Sequence, residues 1–288
     1  MFPPELAQVA IFTIQQLREH GVAERDLRRA LADRRVTRVK RGWYTCDGSS
    51  RPGDLHRLRV LAELRDHPDT VASHHSGAAF LRLPVHRPDW SRVHLMRTDG
   101  GLAQNRAGVV IHQQVGDATR CDPALVIAQT SLFCPVSGLM AMDHALRNEL
   151  TDLVAFDHHA DALSQHCGRG HLPVVRRLAD GLRESPLESR GAFTLAVWGW
   201  RTIAQFPVPG TDYRADGRLV GTRVLVEYDG LGKYDEPGAS VREKIREDEI
   251  RALDWEVVRV TSELLDEPAL LARRVRDAID RAQRFSQH

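Results

Sequence analysis

Three acids near the C-terminal end have the types and spacing of a metal site. Glu227 and Asp229 stand two apart in "VLVEYDG", residues 224–230, and Asp216 precedes them in "YRADG", residues 213–217. Side chains two apart on a strand share a face. If Gly221-Thr222 is the two-residue loop of a hairpin with a type II′ turn, residue 220 lies opposite 223 and Asp216 opposite Glu227. Their Cβ atoms would then be about 4.5–5.5 Å apart, and opposed carboxylates destabilise a sheet unless positive charge sits between them. Mg²⁺, or Mn²⁺ in its place, is the simplest such charge, because hard divalent cations take carboxylate oxygens, waters and phosphate oxygens. An ion held there makes bound water a better nucleophile and neutralises a phosphate under attack. A cation beside it would steady the transition state, and Lys233 or Lys244 could supply one, with Arg242, Arg246 and Arg251 nearby in sequence.

A fourth acid, Glu188, lies in "SPLESR", residues 185–190. Ser185 as N-cap, Pro186 at the first helical position and Glu188 at the third also make a capping box, so Glu188 has a structural reading beside the catalytic one. Asp216 has one too, since Asp216-Gly217 could itself form a hairpin turn and destroy the proposed register. Glu227 is harder to dismiss: an acid closing a Val-Leu-Val run is costly unless it is exposed or liganded.

The elements that must hold these residues are legible in outline. A helix in "ESPLESRGAFTLAVWGW", two strands around Gly221, a crossover helix, a strand at "WEVVRV" and a closing helix from about 262 to 283 predict a small mixed sheet. Upstream, "FTIQQLREHGV", "AERDLRRALADRR" and "VTRVKRGWYTC" predict helix, helix and a short β-hairpin or strand, with Leu27, Ala30 and Leu31 as an inward stripe. Between Arg18 and Arg41 nine basic residues stand against four acids. In such an arrangement Arg28, Arg29, Arg34 and Arg35 would meet DNA from a helix, and Arg38, Lys40 and Arg41 from a wing; a solvated arginine-rich face is the plain alternative. The middle of the chain mixes helices ("HHSGAAFLRL", "SGLMAMDHALRNEL") with strands ("RVHLMR", "GVVIHQ"). Three zones result: 1–70, 71–180 and 181–288, an α+β protein overall.

Two resemblances sharpen this reading. "GVAERDLRRALADRRVTRVKRGWYT", followed by "SHHSGAAFLRLPV", resembles the winged-helix domain of type IV antitoxins of the abortive-infection kind, over about the first 85 residues. That resemblance implies operator-DNA binding. "SPLESR", "YRADG", "VLVEYDG" and "REKIREDEIRALDWEVVRVT" resemble the PD-(D/E)xK nuclease superfamily, near the very-short-patch-repair endonucleases, over about 185–265. It implies Glu188, Asp216 and Glu227 as metal ligands. Two departures stand out: Asp229 occupies the position of the motif lysine, and Asp254-Trp255 replaces glycine-tryptophan, a mild change because Asp tolerates left-handed backbone.

At 288 residues, 42% hydrophobic, 27% charged and a net charge of +1, the chain suits two or three globular domains with no global pull toward nucleic acid. No apolar run reaches the roughly 18–20 residues that span a bilayer, and the N-terminus lacks a basic leader, so a cytoplasmic protein with reduced cysteines is expected. His158, His159, His166, Cys167 and His171 lack paired zinc-ligand spacing, and His74 and His75 are expected to flank a helix beginning near Ser76. Dinucleotide, P-loop and α/β-hydrolase motifs are missing. The expectation is a DNA-binding, metal-dependent endonuclease in repair or in defence against foreign DNA. Its rival is a repressor or antitoxin whose nuclease fold is idle and serves a homodimer or toxin partner; an RNase toxin is a third reading.

Overall fold

The computed structural model describes residues 6, 8–48, 51–229 and 249–285. Lys233, Lys244, Arg242 and Arg246 lie outside them. The fold is α+β. By its contacts the chain forms two compact units, 1–134 with 153–172, and 135–152 with 173–288, a division that runs across the zones drawn at 70 and 180.

The first unit opens with β1 (Phe12–Thr13), α1 (Ile14–Glu19), α2 (Glu24–Ala32), β2 (Thr37–Lys40) and β3 (Trp43–Thr45), the strands ordered β1-β3-β2. Thr13 and Gln16 cap α1 reciprocally. Leu27 and Ala30 turn inward from α2 onto Phe12, Leu17, Val36 and Tyr44. The hairpin tip uses Gly42 at φ 84°, a left-handed value that glycine takes without steric cost. Helix α3 (Pro52–Asp66) then packs Leu58 and Ala62 against Val39 and Trp43. Beyond residue 70 a second sheet follows: β4 (Thr70–Ala72), α4 (His74–Phe80), β5 (Val93–Arg97), β6 (Gln104–Arg106) and β7 (Val109–His112), ordered β4-β5-β7-β6 with β5 and β7 parallel. Helix α5 (Pro123–Phe133), capped by Asp122, is buried from Ala124 to Leu132, its polar Gln129, Thr130 and Ser131 included, while Phe133 at its end is exposed. Helix α7 (Leu153–Ala162) belongs to the same unit.

The second unit contains α6 (Pro135–Arg147), joined to the first unit's end, and, after α8 (His171–Leu178), α9 (Pro186–Val197), β8 (Thr202–Pro207), β9 (Arg214–Leu219), β10 (Val224–Asp229), β11 (Glu256–Thr261), α10 (Ser262–Leu265) and α11 (Pro268–Phe285). The sheet order is β11-β10-β9-β8, antiparallel from β8 to β10, with β11 parallel to β10. Three strands therefore precede the crossover where the sequence suggested two. The missed strand, β8, is an edge strand ending in Pro207, a residue tolerated only where a ladder hydrogen bond is dispensable. The closing helix is likewise two helices, with Pro268 starting the second. Leu195, Val226, Tyr228, Val258, Val260, Leu271 and Val275 make this unit's main core. Among the described residues no helix is long and apolar enough to cross a membrane.

Candidate functional site

The hairpin register is the expected one, but the turn is not. Leu225 pairs with Arg218 and Val226 with Gly217, which sets 216 beside 227. The turn spans 219–222, closed by Thr222 N–H donating to the Leu219 carbonyl at 3.2 Å, and Gly221 takes its positive φ of 78° at the third of the four turn positions rather than the second. Asp216-Gly217 lies inside β9 and makes no turn. The ladder between β9 and β10 covers only those two pairs. Beyond it, carboxylates take the backbone donors: Asp216 N–H donates to Glu227 Oε1 at 3.3 Å, and Tyr228 N–H to Asp216 Oδ2 at 2.8 Å. The like charges thus sit where the strands part.

Glu188 reaches the same place from α9. Ser185 Oγ accepts from Glu188 N–H at 3.2 Å, while Glu188 Oε2 accepts from Glu184 N–H at 3.0 Å, one residue short of the capping-box geometry. The same oxygen accepts from Gln205 Nε2 at 3.0 Å. Gln205 stands between Ala204, paired with Gly217, and Phe206, paired with Ala215, which puts it beside Asp216. It holds φ at 51°, a strained value for a non-glycine residue of the kind found at functional sites. Burial, reinforced by the charge of Asp216, pushes the Glu188 carboxyl above its ordinary range. The buried Tyr228 phenol is raised first by burial, then also by the charges of Glu188, Asp216 and Glu227, against the lowering effect of Arg183. One phenol therefore senses all three acids. Arg183 is buried and donates to Asp143 Oδ2 at 2.7 Å and to the Leu178 carbonyl at 2.8 Å, which fixes the chain leading into α9.

Asp229 lies at the end of β10 with Arg259 Nη1 3.7 Å from its Oδ2. The parallel register sets Arg259 beside Glu227, so a guanidinium from β11 occupies the face where a lysine was expected. Periodicity in "WEVVRV" could have identified Arg259; only the pairing of β10 with β11 gives it a neighbour. Asp254 takes φ 60° after the helical turn at 249–252, and Trp255 N–H reaches back to the Ile250 carbonyl, the left-handed helix ending anticipated for that position.

The basic residues near the N-terminus differ in availability. Arg28, Arg29, Arg34, Arg35, Arg38 and Arg41 are exposed. Arg28 pairs with Glu24 at 2.8 Å and Arg35 with Asp33 at 3.1 Å, whereas Arg29, Arg34 and Arg41 make no ion pair among the described residues. Lys40 is half-buried and bridges Glu63 at 2.6 Å and Asp66 at 2.7 Å, so its charge ties β2 to α3.

Histidines also depart from the sequence reading. Helix α4 begins at His74, with Ser73 as its N-cap residue, so His74 and His75 lie inside its first turn. Among the described residues, the group that brings three potential ligand atoms within 4.8 Å of one another is His74, His94 and His112; the acidic trio does not close so far. His159 instead approaches Asp122 at 3.5 Å, and His171 Nδ1 meets the Ser131 and Leu132 carbonyls at 3.1 Å.

No family model matches the chain. It is similar to two uncharacterised proteins of Mycobacterium tuberculosis, from strains CDC 1551 and H37Rv, each 25% identical over 264 residues that cover 84% of this chain and 93% of the relative.

Proposed function

We propose that the protein is a DNA-binding, divalent-metal-dependent endonuclease that hydrolyses phosphodiester bonds. The observation that carries this reading is the gathering of Glu188, Asp216 and Glu227 from α9, β9 and β10 at the point where two strands part. The nuclease-superfamily resemblance selects the same three residues. Their oxygens are the hard donors that Mg²⁺ or Mn²⁺ prefers, and the Glu188 carboxyl is raised chiefly by burial, with a smaller contribution from the charge of Asp216 that a cation would offset. Bound there, the ion would lower the pKa of a water and neutralise phosphate charge. The protein's own groups orient the acids through Gln205, the Glu184 and Tyr228 amides, and the Arg183–Asp143 pair, while Arg259 supplies fixed positive charge beside them. Arg29, Arg34 and Arg41 hold duplex phosphates, in keeping with the winged-helix resemblance.

The second reading, a repressor or antitoxin with an idle nuclease fold that dimerises or binds a toxin, draws on one observation: Asp229, at the motif-lysine position, is bridged to Arg259. A cleavage assay on plasmid, oligonucleotide DNA and RNA with Mg²⁺ or Mn²⁺ separates the readings. The nuclease reading predicts metal-dependent DNA cutting that falls by about 100-fold or more in Asp216→Asn and Glu227→Gln. Undiminished cutting by both variants, or no cutting by folded wild type, rejects it; cutting of RNA alone favours an RNase.

A further inference from the structure

A second set of ligating groups stands in the other unit, on the sheet β4-β5-β7-β6. Parallel pairing puts Met96 beside His112 and His94 beside Val110, so the two-residue strand period projects His94 and His112 from one face. Antiparallel β4 delivers His74 to the same place, with Ser73 N–H donating to the His94 carbonyl at 3.1 Å. His74 holds φ at 52°, left-handed backbone that a non-glycine residue rarely adopts, and its side chain is buried. His94 Nδ1 meets His112 Nε2 at 2.9 Å, and the His74 ring lies 4.0 Å from that of His112 and 5.4 Å from that of His94. Neighbouring nitrogens on a tetrahedral ion with metal–nitrogen bonds of about 2.0–2.1 Å stand about 3.3 Å apart; His94 and His112 stand at 2.9 Å, and the ligand atoms of all three lie within 4.8 Å of one another.

The surroundings suit ligation. Burial, aided by the neighbouring imidazoles, pushes His94 down to about 3 and His112 to about 4, and holds His74 well below its ordinary value. Ser73 Oγ lies 3.0 Å from His74 Nδ1, an outer partner of the kind that fixes a ligand ring. Ser76 Oγ accepts from His94 N–H at 2.9 Å and meets His56 Nε2 at 2.8 Å, which anchors β5 behind the site. Phe133 covers His74 and His94 edge-on at 5.0 and 5.9 Å. His75 is directed elsewhere, its Nε2 at 3.2 Å from the Arg92 carbonyl.

We propose that His74, His94 and His112 form a three-histidine site for a transition-metal dication of the zinc class, with the fourth position open to water or an added ligand. Imidazole selects such ions over Mg²⁺, so this site and the carboxylate site take different metals and stand or fall separately.

The test uses the full chain, stripped with chelator and returned to Zn²⁺ or Co²⁺. About one ion per chain is expected at this site, with tetrahedral-type visible absorption for Co²⁺. Affinity falls at least about tenfold in His94→Ala and in His112→Ala and is unchanged in Glu227→Gln. Nitrogen-15 spectra of histidine-labelled wild type provide a readout that does not depend on those variants folding. Zn²⁺ shifts three imidazoles, and equal Mg²⁺ shifts none. No bound ion in wild type, equal affinity in folded variants, or Zn²⁺ that leaves the imidazole resonances unmoved overturns the proposal.

Discussion

Asp216 accepts from a backbone amide that the parted ladder would otherwise strand, and this separates two kinds of substitution. Asp216→Asn retains an acceptor for Tyr228 N–H, so thermal stability should change little while metal-dependent cutting is lost. Asp216→Ala leaves that amide without its partner and should cost about 1–3 kcal/mol by chemical denaturation; equal stability of the two variants would contradict the hydrogen-bond assignment. A second residue-scale prediction concerns His56, fully buried between the Trp90 carbonyl and Ser76 Oγ. Burial, with smaller contributions from His75 and Arg59 against Asp89, pushes it down to about 4. Its folded pKa is depressed, so between pH 6.5 and about 4 the unfolded chain binds a proton that the folded chain refuses. Stability therefore falls as pH drops through that window, by about 1.4 kcal/mol per unit for a fully developed one-proton difference. Melts in chelator should show that slope reduced by about one proton in His56→Gln; an unchanged slope would place the titration elsewhere.

Between elements, α9 fits tightly on β10. A Cβ at Gly191 would collide with the Tyr228 ring, so only glycine admits that buried ring against α9. Gly191→Ala should lower stability by about 1–3 kcal/mol and misplace Glu188. Tyr228→Leu in the same chain should recover part of the stability; a Gly191→Ala protein that melts like wild type would refute this packing. Packing of this kind explains what the sequence could and could not disclose. The register of Asp216 with Glu227 was legible because hydrophobic alternation and a glycine turn fix it locally, even though the turn type was misjudged. The α2 stripe was legible from its helical spacing, which is equally local. Strand β8 was not, because an edge strand carrying a left-handed Gln205 and a terminal proline has no clean alternation. Lys40 was read as a wing contact because its partners, Glu63 and Asp66, come from a helix more than twenty residues on. The histidine triad was hidden for a similar reason: three separate elements supply it, and no local spacing announces a site assembled by strand pairing.

At the scale of the whole molecule, a net charge of +1 means that any nucleic-acid affinity must come from a local surface. Replacing Arg29, Arg34 and Arg41 with glutamine should weaken duplex binding for all sequences and lower the magnitude of the slope of log K against log salt by about 0.9 per phosphate contact, about 3 in all. Filter-binding over a salt series measures this, and an unaltered slope would remove that face from the interface. The central claim concerns the other unit: its clustered carboxylates exist to hold a hard dication. Electron paramagnetic resonance of Mn²⁺ titrated into the full chain tests it most directly. The account predicts a bound ion that Mg²⁺ displaces and that vanishes when Asp216→Asn and Glu227→Gln are combined. A double variant that retains Mg²⁺-displaceable Mn²⁺ as tightly as wild type, or a wild type that leaves all Mn²⁺ free with or without DNA, would contradict it.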